Sequence, residues 1–587
     1  MVTRFWPKMT LETVRADVMA GLLLAILSLP QGIAFATLAG MPPQYGIYAS
    51  IVPCAVAAIF GSSNHVVSGP TNANSLALFA ALSPLAVPGG PNYIAFALVV
   101  TLLVGITQFS IGIFRLGWMT DFIAPAVLMG FLSGGAVLIG LYALPDLFGL
   151  HLEGSHKPFS VAAGLIEAIR KTDLNAFAIG LFTLAGTIAA ARISRRLPFM
   201  LIGILVGYEF GELLDRFPQW GSIERIGTIP SVLPPFSIPF VSSTMLPDLI
   251  AISGALSIVA LGQSVSIAKA LAQRSGQYLN TDREIMGQGL CNIVGSFFSS
   301  YVSCGSLNRS LPNFLAGGKT PLAAFLSSGF LIVLAFVSRP LLERIPMPAI
   351  AAMLVYIAYG LFDARGFVRL FRVNKADFCV ATVTGGGLLF MPFQQAILIG
   401  CAISLLLYLH RTAHPGVRTL VPNPAVPGRT FTPVEEFAEP MAECPQLKLV
   451  RIEGAIYFGA AGYVSQRLHN MRHDTTQKHL LAMVKSMNFI DLAGAEVWEQ
   501  ELVARRAMGG DLYFHRPRNP VRQLWQKIGF ETRLRPENIF GTKNAAVASI
   551  YTQLDHSICA TCTAQIFAEC KKLNSAAHEP AETAATA

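Results

Sequence analysis

The chain has 587 residues, 53% of them apolar and only 13% charged, with a net charge of +9. Soluble domains carry about 25% charged residues, so a water-soluble fold is excluded for most of this length. The basic residues stand between apolar runs, as topology signals do, which argues against a nucleic-acid partner.

Residues 1–17 lack the design of a cleavable leader and are expected to form a cytoplasmic N-terminal segment. From Val18 to Phe114 there is no Asp, Glu, Lys or Arg. Apolar stretches long enough to span, or short enough to be half-helices buried in protein, begin near residues 18, 45, 70, 92, 119, 174, 197, 247, 284, 305, 320, 347, 376 and 394. That is seven plus seven. An odd-membered repeat sets its second copy upside down in the bilayer. The fold class expected over 18–410 is therefore a polytopic α-helical membrane protein of 14 segments, built as a 7+7 inverted repeat. With the N-terminus inside, the inner loops receive Arg115, Arg192, Arg195, Arg196, Lys269, Arg274, Arg283, Lys319, Arg365, Arg369, Arg372 and Lys375. Both termini are then cytoplasmic, and the protein is expected in a plasma or inner membrane.

The third segment of each half is short and interrupted. The first runs Val67-Ser68-Gly69-Pro70-Thr71-Asn72-Ala73-Asn74-Ser75, the second Ser303-Cys304-Gly305-Ser306-Leu307-Asn308-Arg309-Ser310-Leu311. Matched breaks of this kind mark a transporter site at the bilayer midplane. Each Gly opens the backbone, and the small polar residues after it begin a half-helix. Its first N–H groups lack partners and carry the positive end of the helix dipole, so two such ends can hold an anion. Arg309 adds a full charge at a depth where charge is expensive and by default functional. His65 reads as a plain residue of a cytoplasmic turn. Glu209, Glu212 and Asp215 read as a solvated face.

After Leu409, prolines 415, 422, 424, 427 and 433 mark a linker over 411–432, followed by a small α/β domain over 433–556. Leu447–Ile452, His479–Met483 and Asp511–Phe514 pattern as strands, and Ala495–Ala507 and Asn519–Lys527 as helices. The domain carries no paired-carboxylate, nucleophile–base or nucleotide-loop arrangement, so it is expected to regulate or dimerise rather than to catalyse. In the tail over 557–587, His556, Cys559, Cys562 and Cys570 have a spacing a structural zinc could use. No other cofactor is expected. The nine cysteines are otherwise scattered and give no disulfide framework. Asn574–Ala587 has no apolar pattern and is expected to be disordered.

Several motifs resemble those of the SulP family, the sulfate permeases whose animal members include prestin and pendrin. They are Pro30-Gln31-Gly32-Ile33-Ala34-Phe35-Ala36, Pro43-Gln44-Tyr45-Gly46-Ile47-Tyr48-Ala49-Ser50, Gly61–Ser75 and Cys304–Thr320 in order, with a tail resembling STAS and its Asp-X-X-Gly turn at Asp491–Gly494. The resemblance implies a core of spans 1–4 and 8–11 moving against a gate of spans 5–7 and 12–14. It places Gln31 and Phe35 along the site. It has Thr71, Asn72 and Ala73 offer backbone amides from the third span, and Ser306, Leu307 and Asn308 from the tenth, beside Arg309. It also implies a homodimer with STAS–STAS contacts, and a cytoplasmic partner of STAS that the sequence does not name.

Two departures stand out. Gln263 occupies a site position where many relatives have a carboxylate tied to proton or sodium coupling, and Gln neither titrates nor anchors a hard cation well. Leu492 and Ala493 replace the Ser of phospho-switched STAS turns, which excludes phosphorylation there. The expected function is secondary transport of small anions by an elevator-type movement, by exchange or uncoupled flux. Sulfate is the first candidate, with bicarbonate, chloride or a dicarboxylate behind it. A cation-coupled symporter, a nucleobase permease and a STAS-based sensor or scaffold are the alternatives.

Overall fold

The computed structural model describes residues 9–570 apart from 123, 151–157, 194–198, 217–222, 424–429 and 440. The chain divides into two compact units, Met1–Leu405 and Leu406–Ala587.

The first unit is helical. Its first half holds α1 (Leu11–Leu38), α2 (Gln44–Phe60), strand β1 (Ser68–Gly69), α3 (Asn72–Leu82), α4 (Pro91–Ile113), α5 (Pro125–Leu147), the short α6 (Pro158–Ala168), α7 (Leu174–Ile193) and α8 (Phe199–Asp215). The second half repeats that order: α9 (Leu246–Ser275), α10 (Thr281–Phe297), strand β2 (Cys304–Gly305), α11 (Leu307–Leu315), α12 (Leu322–Leu342), α13 (Met347–Leu361), the short α14 (Ala364–Val373), α15 (Lys375–Phe390) and α16 (Phe393–Ala413). A helix therefore begins within seven residues of each expected start, the largest offsets being at α1 and α5. The sequence pattern missed α6 and α14, because each adds one amphipathic helix between the fifth and sixth segments of its half. Among the described residues, eight helical stretches are long and apolar enough to cross a membrane, one of them the pair α13–α14.

Two bundles result. In one, α10 lies along α4 and α2, α12 along α1 and α2, and α9 against α4. In the other, α5 packs on α13 and α15, and α7 on α8 and α13. The α1–α2 approach depends on glycine: a Cβ on Gly46 would overlap the Gly32 carbonyl, and one on Gly32 would meet Gly46 in return. Backbones that close need small residues.

Among the described residues of this unit, two carboxylates are buried. Asp17 accepts the amides of Lys319 and Thr320 at 2.7 and 3.1 Å, and Glu284 accepts those of Ser62 and Ser63 at 2.8 and 2.9 Å. Each ties a chain segment to the start of a helix. His65 is corrected from a plain turn residue: it is 6% exposed, its ring stands edge-on to Phe314, and its carbonyl accepts from Asn313 Nδ2 at 3.1 Å. Glu209 and Asp215 are exposed and Glu212 partly so, and on this face Glu212 and Asp215 pair with Arg225 and so tie α8 to the following segment.

The second unit is a six-stranded sheet in the order β4-β3-β5-β6-β7-β8, from β3 (Gly416–Pro422), β4 (Phe431–Pro433), β5 (Leu447–Glu453), β6 (His479–Met483), β7 (Leu512–His515) and β8 (Ile539–Phe540). Strands β5 to β8 are parallel, and β3 runs antiparallel to both of its neighbours. The helices are α17 (Phe458–His473), α18 (Leu492–Ala507), α19 (Asn519–Lys527), α20 (Phe530–Leu534), α21 (Lys543–Tyr551) and α22 (His556–Thr561). The expected linker over 411–432 therefore contains a sheet strand, held by buried Val417, Leu420 and Val421. The domain also runs past residue 556, because Phe567 is buried against the sheet. The expected disorder of Asn574–Ala587 falls outside the described residues.

Asp491 explains the Asp-X-X-Gly turn. Its Oδ1 accepts the Gly494 amide at 2.9 Å and caps α18, while Oδ2 accepts the Phe458 amide at 2.8 Å and fixes the start of α17. Leu492 is 57% exposed at the turn's surface. Asp491→Ala removes both bonds, and the unit is expected to lose about 1–3 kcal/mol, read as a lower denaturant midpoint for its unfolding.

The four residues proposed for zinc are not gathered into a site. Among the described residues, no three His, Cys, Asp or Glu form a group that could hold a metal. The His556 ring turns to Tyr551, and Cys559 Sγ accepts from Gln446 Nε2 at 3.4 Å.

Candidate functional site

The two interrupted segments meet. Strands β1 and β2 pair antiparallel, Ser68 with Gly305 and Gly69 with Cys304, and the Ser306 amide donates to Val67 O at 3.0 Å. Because the strands run oppositely, α3 and α11 leave this ladder in opposite directions, and their N-terminal ends come together at it. The first turns of both helices have amides without intrahelical acceptors, and both dipoles present their positive ends.

The ends differ. At α3, Thr71 Oγ1 accepts the Asn74 amide at 3.3 Å and Asn72 Oδ1 accepts the Ala73 amide at 2.8 Å, so side chains of the motif already occupy two donors. At α11, Ser306 is the cap residue but its side chain makes no capping bond. Leu307 and Asn308 are exposed, whereas Ser306, Thr71 and Ala73 are buried. The α11 end is thus the more open donor.

Arg309 lies one turn into α11 and is 0% exposed. Its Nη2 donates to Ser50 Oγ at 3.1 Å, while Nε and Nη1 are buried with no hydrogen-bond partner. Ser50 in turn donates to Gly46 O at 2.7 Å. Gly46 and Ser50 stand four residues apart on one face of α2, so the residue that admits α1 and the one that meets Arg309 share a side. Among the described residues, no carboxylate lies within ion-pairing distance of Arg309. Gly69 makes room for it: a Cβ there would occupy the place of Nη1.

Gln263 on α9 joins the two breaks. Its Oε1 accepts from Thr71 Oγ1 at 3.2 Å and from Cys304 Sγ at 3.3 Å. Next to it, Ser264 Oγ accepts the Gly305 amide at 2.7 Å. Gln31 on α1 is buried with Oε1 unpartnered. Phe35 is fully buried in the apolar cluster that also holds Ala73 and Leu76, and there it is packed rather than open to the site.

Sequence reasoning missed Ser50, Ser264, Gln288 and Asn292. Asn292 Oδ1 accepts the Ser303 amide at 2.8 Å and its Nδ2 donates to Ser303 O at 2.9 Å, holding β2 in place. Gln288 links Glu284 to Ser68, at 3.1 and 2.8 Å. The one available signal was a run of polar residues on α10, a helix otherwise set in an apolar unit.

Comparison with known proteins fits this geometry. Residues 14–384 match the family described as the sulfate permease family. The chain belongs to that family. Residues 440–546 match the STAS domain. This sulfate permease family member is 33% identical over 465 residues to sulfate transporter 4.1, chloroplastic, of Arabidopsis thaliana, covering 78% of this chain and 67% of that protein. It is 28% identical over 535 residues to a probable sulfate transporter of Mycobacterium tuberculosis, covering 91% and 94%. Its fold matches murine solute carrier 26 family member A9, an anion transporter in the inward-facing state, with a TM-score of 0.82 at 19% identity over 93% of this chain and 92% of that one. It also matches the transmembrane domain of the cyanobacterial bicarbonate transporter BicA, with a TM-score of 0.59 at 19% identity over 68% of this chain and 100% of that one. The protein is thus a polytopic helical membrane transporter with a STAS domain, and not an enzyme.

Proposed function

We propose that this protein carries small anions, sulfate first, by alternating access in which the bundle of α1–α4 and α9–α12 moves the site past the other bundle. The observation that supports it is the meeting of the α3 and α11 N-termini beside a buried arginine with unpaired N–H groups. An oxyanion would take those donors and the dipole field together. The names of the relatives put sulfate ahead of bicarbonate, chloride and dicarboxylates.

Exchange or uncoupled flux is the favoured mode. Gln263 cannot titrate, and the buried carboxylates Asp17 and Glu284 are each engaged by two backbone amides that tie chain segments together. We further propose a homodimer in a plasma or inner membrane, with cytoplasmic termini and STAS–STAS contact.

The test is labelled sulfate uptake into liposomes holding the purified protein, preloaded with unlabelled sulfate at symmetrical pH. Uptake without a proton or sodium gradient supports the reading. Absent uptake from a folded protein, with no competition by other anions in a binding assay, overturns it. The same assay is expected to find Gly69→Ala reduced at least tenfold, because the new methyl group displaces the guanidinium of Arg309. Normal uptake by that variant would mean that the position of Arg309 does not matter.

A further inference from the structure

The short helix α14 takes no part in the site above, yet its construction is specific. Asp363 begins it by accepting the Gly366 amide at 2.8 Å, and Asn374 ends it while capping α15. Helical spacing sorts its residues into three faces. Gly366 is buried, and the Phe367 ring meets Phe378 at 6.2 Å, so that side rests on the bundle. Val368 and Phe371, three apart, are 51% and 55% exposed, the Phe371 ring also standing edge-on to Phe378 at 5.1 Å. Arg365, Arg369 and Arg372 follow an i, i+4, i+7 row beside that apolar face, and all three are exposed.

These arginines lack acidic partners among the described residues. Some other bases of the unit do meet acids, as Arg225 meets Glu212 and Asp215, and Arg339 meets Glu343 at 2.9 Å. The counterpart of α14 in the first half, α6, also exposes apolar residues (Phe159 at 59% and Ile166 at 74%) but carries no base within Pro158–Ala168, Arg170 and Lys171 standing in the turn after it. The two halves thus place an amphipathic helix at equivalent points, and α14 alone carries a row of bases along its length.

We propose that α14 lies in the headgroup layer and holds phosphate-bearing anionic phospholipid, with Val368 and Phe371 among the acyl chains and the arginine row against the phosphates. A helix with one apolar and one basic face takes that position in an interface. The guanidinium fork matches phosphate oxygens two at a time, which an ammonium cannot do. The row is about 10 Å long. Because α14 packs on α15, lipid held there also anchors the bundle that α15 belongs to.

The experiment uses the full-length protein in phosphatidylcholine vesicles doped with spin-labelled phosphatidylglycerol or spin-labelled phosphatidylcholine. The wild type is expected to immobilise the phosphatidylglycerol probe preferentially, and added salt should weaken the preference. Changing Arg365, Arg369 and Arg372 together to Gln should cut the preference by roughly tenfold or more, since each base near an anionic surface contributes about fivefold. The triple Lys variant, which keeps the charge, should retain an intermediate preference, and an unchanged thermal transition shows that both variants fold. Equal immobilisation of the two probes by the wild type, or a preference that survives the Gln changes, overturns the proposal.

Discussion

Replacing Arg309 with Ala is expected to raise the KM for sulfate by roughly 30- to 700-fold while leaving the protein folded. The guanidinium is fully buried, makes one hydrogen bond to Ser50, and has two nitrogens unpaired. A charge at contact distance from a bound anion contributes about 2–4 kcal/mol at the effective dielectric of protein sites, which converts to that range of affinity. Stability should move the other way, because an unpaired buried charge opposes folding. The pairing of a higher thermal transition with lost uptake separates this role from a structural one. A variant with unaltered KM would remove Arg309 from the site. Arg309→Lys is expected to rescue little, since a point charge on a shorter donor set cannot reach Ser50 and an anion together.

Changing Gln263 to Glu is expected to install a pH dependence of uptake that comes from this one side chain. The carboxylate can accept the same bonds from Thr71 and Cys304, so the local geometry should hold. At neutral pH its charge faces the incoming anion and competes for the field of Arg309, and uptake is expected to fall at least tenfold. As the pH falls through the new carboxyl's pKa, the side chain becomes a neutral near-isostere of Gln and uptake should return. The sign is fixed: activity rises with protonation. Uptake from vesicles at matched internal and external pH, stepped from neutral to acidic, measures it. A flat profile equal to the wild type would place Gln263 outside the anion's field.

Much of the membrane fold was legible because lipid imposes one requirement everywhere: each segment must satisfy its own backbone, so spans announce themselves as unbroken apolar runs. The site was legible for the complementary reason. Gly69 and Gly305 break two such runs, and small polar residues follow both. Ser50 was hidden, because nothing in a linear pattern says which helix lies across Arg309. Asp17 and Glu284 carry no mark in the linear pattern, and only the fold shows them holding the amides of distant turns. Strand β3 was lost to its flanking prolines, Pro415 and Pro422, which signal a linker although Val417, Leu420 and Val421 between them are buried. His65 misled for the same reason: a polar residue in a non-helical stretch looks exposed until Phe314 covers it.

The pairing of Ser68 with Gly305 also sets an order on biosynthesis. A ribosome adds about 5–20 residues per second, so β1 waits on the order of ten to fifty seconds before its partner strand exists. Through that interval the polar start of α3 sits in the translocation machinery or in lipid without the ladder and without the second half-helix end, and for most of it without Gln263. A nascent chain stalled before residue 304 should therefore leave Thr71, Asn72 and Asn74 accessible to water or to a chaperone that shields polar membrane segments. The two halves of the candidate site become a single object only when β2 and α11 arrive.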